Sequence, residues 1–227
     1  MFAPNQLFDV TYGIRANETS SGTCFTFEYH GRKYLITAKH VLTGNGTFVE
    51  VHTNSGFKQV MYNNYYESSN PEVDIVALEI DATCEQLFNF HSSFFEYTSH
   101  GLLLGADTYF LGYPYNLANL SMSSSTRRNA IVKKGIVSGP AYGSESRELG
   151  FLLDGHNNPG FSGGPCFYLD NISGKNKWLL FGVISSYVAQ TETLYDQKGH
   201  ARMTINENSG IINTHSIDKI ILELPIK

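Results

Sequence analysis

The run Asn157-Asn158-Pro159-Gly160-Phe161-Ser162-Gly163-Gly164-Pro165 stands directly before a strand-like segment, Cys166-Phe167-Tyr168-Leu169. So many glycines and prolines leave no room for a regular helix or strand. Glycine opens left-handed backbone dihedrals and lets a ligand come close to the main chain. A serine at the apex of such a turn, with N–H groups beside it, has the layout of a nucleophile next to an oxyanion site. A plain glycine-rich turn between two strands would look the same in isolation. The rest of the chain decides between them.

With 227 residues the chain can form one large domain or two small ones around an ample core. Tyr, Phe and Gly are plentiful, and Thr, Val and Ile recur in short runs, a composition that favours many short strands. Formal net charge is −5, and no basic cluster exceeds Thr126-Arg127-Arg128 and Lys133-Lys134. Nucleic acid is therefore not expected as a partner. No apolar run approaches the roughly 18 residues of a membrane span, so none is expected. The start, Met1-Phe2-Ala3-Pro4-Asn5-Gln6, has no charged region followed by an apolar one, so no secretory signal is expected. Cys24, Cys84 and Cys166 give neither a disulfide framework nor a paired metal motif. Free thiols suit a reducing compartment, and a cytoplasmic address, with no metal or cofactor, is the expectation.

Taken in order, residues 22–29 and 33–37, on either side of the turn Gly31-Arg32, read as a hairpin. The second strand runs out into Ala38-Lys39-His40-Val41-Leu42, which leaves His40 just past a strand end. Residues 48–52 alternate as another strand, and the polar stretch 62–71 reads as a surface loop. In Val73-Asp74-Ile75-Val76-Ala77-Leu78-Glu79-Ile80 one carboxylate lies at the mouth of an apolar strand. Aspartate is disfavoured in strands and costly to bury without hydrogen bonds. Asp74 is thus either a solvated cap or the partner of a buried group such as a histidine. Residues 81–105 are looser and aromatic, a connection between halves. Six more strand candidates follow at 108–113, 130–138, 150–154, 166–169, 178–187 and 202–206, as in an all-β barrel or sandwich. Ile217, Ile220, Ile221 and Leu224 fall on one helical face and predict a closing helix at about 214–224. Thr214 or Ser216 would cap it, and Pro225 would stop it.

His40, Asp74 and Ser162, in that order and each at a strand edge, resemble the trypsin-like serine peptidases, the HtrA-type branch most of all. The matching stretches are Ser20-Ser21-Gly22-Thr23, Leu35-Ile36-Thr37-Ala38-Lys39-His40-Val41, Asp74-Ile75-Val76-Ala77-Leu78, Lys134-Gly135-Ile136-Val137-Ser138, Asp154 through Pro165, and Gly182-Val183-Ile184-Ser185. With the closing helix, the likeness runs from about residue 10 to 224. It implies a single peptidase domain over 1–227, built of two six-stranded antiparallel β-barrels at about 8–95 and about 106–210 and a C-terminal α-helix. The site would lie in the cleft between barrels. The resemblance also implies a serine endopeptidase in which Ser162 attacks a peptide carbonyl, His40 takes and returns the proton, and Asp74 holds the imidazole tautomer. The N–H groups of Gly160 and Ser162 would hold the oxyanion. Ser185 matches the family residue that supports the aspartate, and Ser185, Ser186 and Tyr187 would pair with an extended substrate peptide. His156, six residues before the nucleophile, matches the base of the specificity pocket in the family, where it would be a polar or pH-sensitive contact to the substrate side chain, although the residues alone slightly favour an exposed loop histidine. Without an Asp there, an apolar or mixed pocket is expected.

Some positions depart from the family pattern. Secreted members carry an Asp immediately before the nucleophile, which pairs with a new N-terminus after cleavage; here that position is Phe161. Control is therefore expected from ordering of residues 155–161 by a partner, substrate or oligomer, not from N-terminal clipping. Cys24 has no mate after His40, and the short tail leads us to expect no PDZ domain. Gly160-Phe161-Ser162-Gly163-Gly164 also satisfies the Gly-x-Ser-x-Gly elbow of α/β-hydrolases, with His200 or His215 after it, but the alternating helices of that fold are missing. A Cys166 nucleophile would fall inside a strand. The rival from a different class is a trypsin-like fold used as a latent or non-catalytic binding or regulatory module. The intact set of three residues favours an enzyme over that rival.

Overall fold

The computed structural model describes residues 3–16, 20–42, 46–53, 55–91, 93–116, 119–120, 128–171 and 176–226; Thr126 and Arg127 of the basic cluster lie outside them. After a short helix α1 (Asn5–Asp9) come β1 (Thr11–Arg15), β2 (Ser21–Tyr29), β3 (Arg32–Thr37), β4 (Phe48–Thr53), β5 (Gly56–Glu67) and β6 (Val76–Ile80). Their apolar, β-branched residues turn inward, and the six strands close a barrel in the order β1-β2-β3-β6-β5-β4. A 3-10 turn (Ala82–Leu87) and β7 (Phe95–Tyr97) lead into the second half.

That half contains β8 (Asp107–Gly112), β9 (Asn119–Leu120), β10 (Arg128–Asn129), β11 (Ile131–Tyr142), β12 (Glu148–Asp154), β13 (Pro165–Asp170), β14 (Lys177–Tyr195) and β15 (Ala201–Ser216), followed by helix α2 (Asp218–Ile221). Strands pair in the order β13-β8-β11-β12-β15-β14-β7, and β13 also pairs with β14, so six of these seven strands close on themselves. Strand β7 joins β14 in parallel; β9 and β10 form a separate ribbon. The architecture is the all-β, trypsin-like fold that the sequence implied. One apolar cluster welds the halves together. It combines Phe25, Ile36 and Ala77 from the first barrel with Leu111, Phe167, Leu180 and Val183 from the second. Leu7 and Val10 from the start of the chain, and Ile217, Ile220, Ile221 and Leu224 from its end, join the same cluster.

Three local expectations are corrected. Residues 62–67 are not loop but the second half of β5, which pairs with β6 where the first half pairs with β4. In that strand Val60 is buried, Tyr62 and Tyr66 are partly buried and most other side chains are exposed, so the apolar alternation that marks a half-buried strand is missing. The closing helix is confined to Asp218–Ile221, and its N-cap, Ile217, makes no side-chain cap. Thr214 and Ser216 belong to β15 instead, where pairing with β12 and β14 overrides their capping tendency. Finally, β14 and β15 run on past residue 187 and before residue 202 as an exposed hairpin arm, in register from Ala189↔Asn208 to Tyr195↔Ala201. Neither face of the arm is buried, which again removes the sequence signal.

Candidate active site

The glycine-rich run forms a loop wedged between the barrels. Thr23 of β2 clamps it: the Thr23 N–H donates to the Ser162 carbonyl (2.8 Å) and the Thr23 hydroxyl to the Gly160 carbonyl (2.7 Å). From the other side, the Gly163 N–H donates to the Ile184 carbonyl of β14 (2.8 Å), and the Ile184 N–H donates back to Gly164 (2.9 Å). Two glycines meet the conformational demand. Gly160 has φ +104° and Gly163 φ +84°, and a Cβ on Gly163 would stand 2.1 Å from the Thr23 carbonyl oxygen. Between the glycines Phe161 is fully buried, edge-on to Phe110. Lys133 braces the same loop, donating to the His156 carbonyl (2.5 Å) and Asn158 Oδ1 (2.7 Å).

These anchors set the direction of the peptide planes. The Pro159 carbonyl accepts from the Tyr115 N–H (3.0 Å), and the Phe161 carbonyl accepts from the Gly164 N–H (2.8 Å). Across a trans peptide the N–H points opposite to the C=O. The N–H groups of Gly160 and Ser162 are therefore turned away from the backbone that holds those carbonyls. Neither donates to an acceptor among the described residues, whereas the intervening Phe161 N–H donates to Asn158 (3.1 Å). Two free donors flanking a serine can receive a developing oxyanion.

His40 lies on a 3-10 turn (Lys39–Val41) just after β3, and Asp74 lies just before β6. The Asp74 carboxylate takes three hydrogen bonds: Oδ1 from the His40 N–H (2.9 Å), and Oδ2 from His40 Nδ1 (2.6 Å) and the Ser185 hydroxyl (2.7 Å). Burial pushes the Asp74 carboxyl up, yet the bonds from His40 and Ser185 outweigh it and hold the group below the usual carboxylate value. The bond to Asp74 raises His40 above its ordinary 6.5, against the opposing effect of burial. With Nδ1–H committed to Asp74, Nε2 is the ring nitrogen left to exchange protons. His40, Asp74, Ser162, Ser185, Ser186 and Tyr187 line one cleft. Among the described residues the Ser162 hydroxyl donates to the Ser185 carbonyl (3.2 Å), not to His40.

The reading of His156 is corrected. Its side chain is exposed and stands outside the cleft lining, while the neighbouring Asn157, only 3% exposed, lines it. The loop is turned this way because Asn208 of the arm donates to the Asn157 carbonyl (2.7 Å) and Lys133 holds that of His156. Sequence reasoning missed Thr23, Lys133, Asn157 and Asn208. Thr23 and Asn157 had a signal, their places in the matching stretches Ser20-Ser21-Gly22-Thr23 and Asp154 through Pro165. The cysteines are free and buried, and burial pushes the Cys24 and Cys166 thiols up, which makes Cys166 a poor nucleophile. Among the described residues no group of three or more His, Cys, Asp or Glu side chains could hold a metal ion.

Comparison with known proteins agrees with this fold. A family model for the trypsin-like peptidase domain matches residues 22–172. No curated protein matches the sequence. Among solved structures, the HtrA-type protease AlgW with a tripeptide superposes with a TM-score of 0.59 at 18% identity, covering 95% of this chain and 58% of that one. The MamO protease domain from Magnetospirillum magneticum gives 0.54 at 16% identity, covering 96% and 97%. A serine endoprotease from Yersinia pestis gives 0.52 at 20% identity, covering 83% and 59%. The chain thus spans less than two thirds of the AlgW and Yersinia chains.

Proposed function

The chain belongs to the trypsin-like peptidase family, and on that footing we propose that it is a serine endopeptidase acting through His40, Asp74 and Ser162. Ser162 Oγ attacks the carbonyl carbon of the scissile peptide as its proton passes to His40 Nε2, and Asp74 stabilises the resulting imidazolium. The oxyanion settles on the N–H groups of Gly160 and Ser162. Its collapse breaks the C–N bond, and His40 gives the proton to the departing amine. Water, activated in turn by His40, then releases the acyl group from Ser162. The observation that carries this reading is the Asp74 carboxylate bound to His40 Nδ1 at 2.6 Å in the same cleft as Ser162.

The substrate in this proposal is a polypeptide bound as an extended strand along Ser185, Ser186 and Tyr187. In support, β14 pairs with β13 only as far as Val183, so beyond Ile184 its edge is open to a new strand. The Ser185 carbonyl, now occupied by the Ser162 hydroxyl, is the first acceptor a substrate N–H would claim. That same bond favours a second reading, a latent form or regulatory module in which Ser162 is not yet engaged by His40. We propose that a partner or the substrate orders residues 155–161 to release it, because Phe161 offers no carboxylate to a freshly cut N-terminus. Three free thiols support a reducing, cytoplasmic setting. Reaction of Ser162 with a fluorophosphonate, lost in Ser162→Ala and His40→Ala, tests the catalytic reading.

A further inference from the structure

Asp74 is tied twice. Its carboxylate serves His40 and Ser185, but its main chain is held by a separate device. Asp74 precedes β6 and has no ladder partner for its N–H, a donor that burial would otherwise strand. That N–H donates to His215 Nδ1 at 2.7 Å, across 141 positions of sequence and from one barrel to the other. His215 lies one residue from the end of β15, 7% exposed, between Gly150 of β12 and Val183 of β14. A backbone N–H can only donate, so Nδ1 must keep its lone pair. The ring is then neutral, with its proton on Nε2.

We propose that His215 is a positioning residue for the His40–Asp74–Ser162 site: its neutral ring locks the Asp74 backbone from the second barrel, and protonation releases the lock. The inference rests on the catalytic reading above. A protonated ring would set Nδ1–H against the Asp74 N–H, two donors face to face, and the hydrogen bond would be lost. The charged groups acting on the ring are Asp74, which favours protonation, and Lys39, which opposes it; its ladder neighbours Gly150 and Val183 are uncharged. Burial is the largest influence and holds the ring below its ordinary 6.5, so the lock is closed at neutral pH.

Two variants separate the acceptor from the charge. Asparagine sets an amide oxygen near the place of Nδ1 and does not titrate; leucine removes the acceptor. Leaving the half-buried Asp74 N–H unpaired should slow fluorophosphonate labelling of His215→Leu about tenfold or more at pH 7.5, and His215→Asn should recover most of the rate. Below pH 6 the wild-type rate should fall with two protonations and that of His215→Asn with one. ¹⁵N spectra of the wild-type ring should show Nε2 protonated and Nδ1 bare at pH 7. A wild-type labelling rate in His215→Leu, an unchanged acid limb in His215→Asn, or a proton on Nδ1 at pH 7 would each overturn the proposal. Failure of the catalytic reading would look different, as a wild type that labels at no pH. The ring spectrum reports on the His215–Asp74 bond even then.

Discussion

Phe161→Ala should lower stability and reactivity together, because one side chain serves both the core of the second barrel and the nucleophile loop. The ring is fully buried, 5.3 Å from Phe110 at a 71° edge-on angle. Gly112 leaves it space: a Cβ there would stand 2.5 Å from Phe161 Cδ1. The Lys133 ammonium lies 5.2 Å above the ring. Truncating a fully buried Phe to Ala costs about 3–5 kcal/mol. For a chain of this size each kcal/mol moves Tm by about 2–4 °C, so the midpoint should fall by about 6–20 °C. Scanning calorimetry reads the shift. Ser162→Ala, on the same loop but outside the core, should stay within about 2 °C of wild type, as a half-buried polar change does. Fluorophosphonate labelling of Phe161→Ala, measured well below its midpoint, should also be slower, since the freed loop no longer fixes the Gly160 and Ser162 N–H groups. A Tm loss under 3 °C with an unchanged labelling rate would refute the claim that this side chain couples core and site.

Asp74→Asn should reduce kcat by about 10⁴ and move the acid limb of kcat/KM downward. The sign follows from His40 as base: its pKa is raised above 6.5 chiefly by its bond to Asp74, so wild-type activity should rise with pH through a value above 6.5. A limb unmoved by the substitution would contradict the assignment. Gly163→Ala should cost more than about 1 kcal/mol in urea unfolding and abolish labelling. At φ +84° its Cβ would lie 2.1 Å from the Thr23 carbonyl and 2.2 Å from Thr37 Oγ1; a variant as stable and reactive as wild type would argue against the wedge.

Much of this arrangement could be read in the sequence because its signals are local. Apolar strands punctuated by glycine and proline gave the all-β class, and strand ends gave His40, Asp74 and Ser162, which the structure gathers in one cleft. The face formed by Ile217, Ile220, Ile221 and Leu224 is indeed buried, although strand pairing shortened the helix itself. What could not be read depends on contacts between distant segments. Thr23 reaches Gly160 across 137 positions, and His215 reaches Asp74 across 141. Neither residue has a neighbour in sequence that announces the pairing. His156 was misplaced because the loop's direction is set by Lys133 and Asn208, not by its own residues. Residues 62–67 of β5 and the arm escaped notice because mostly exposed strands lack the alternation that betrays half-buried ones.

The most direct test of the account is to treat the folded protein with a fluorophosphonate and locate the adduct by mass spectrometry. One adduct per chain is expected, on Ser162, absent from Ser162→Ala and, like turnover, suppressed by about 10⁶ in His40→Ala. A folded wild type that forms no adduct, or one whose adduct persists in Ser162→Ala, would contradict it.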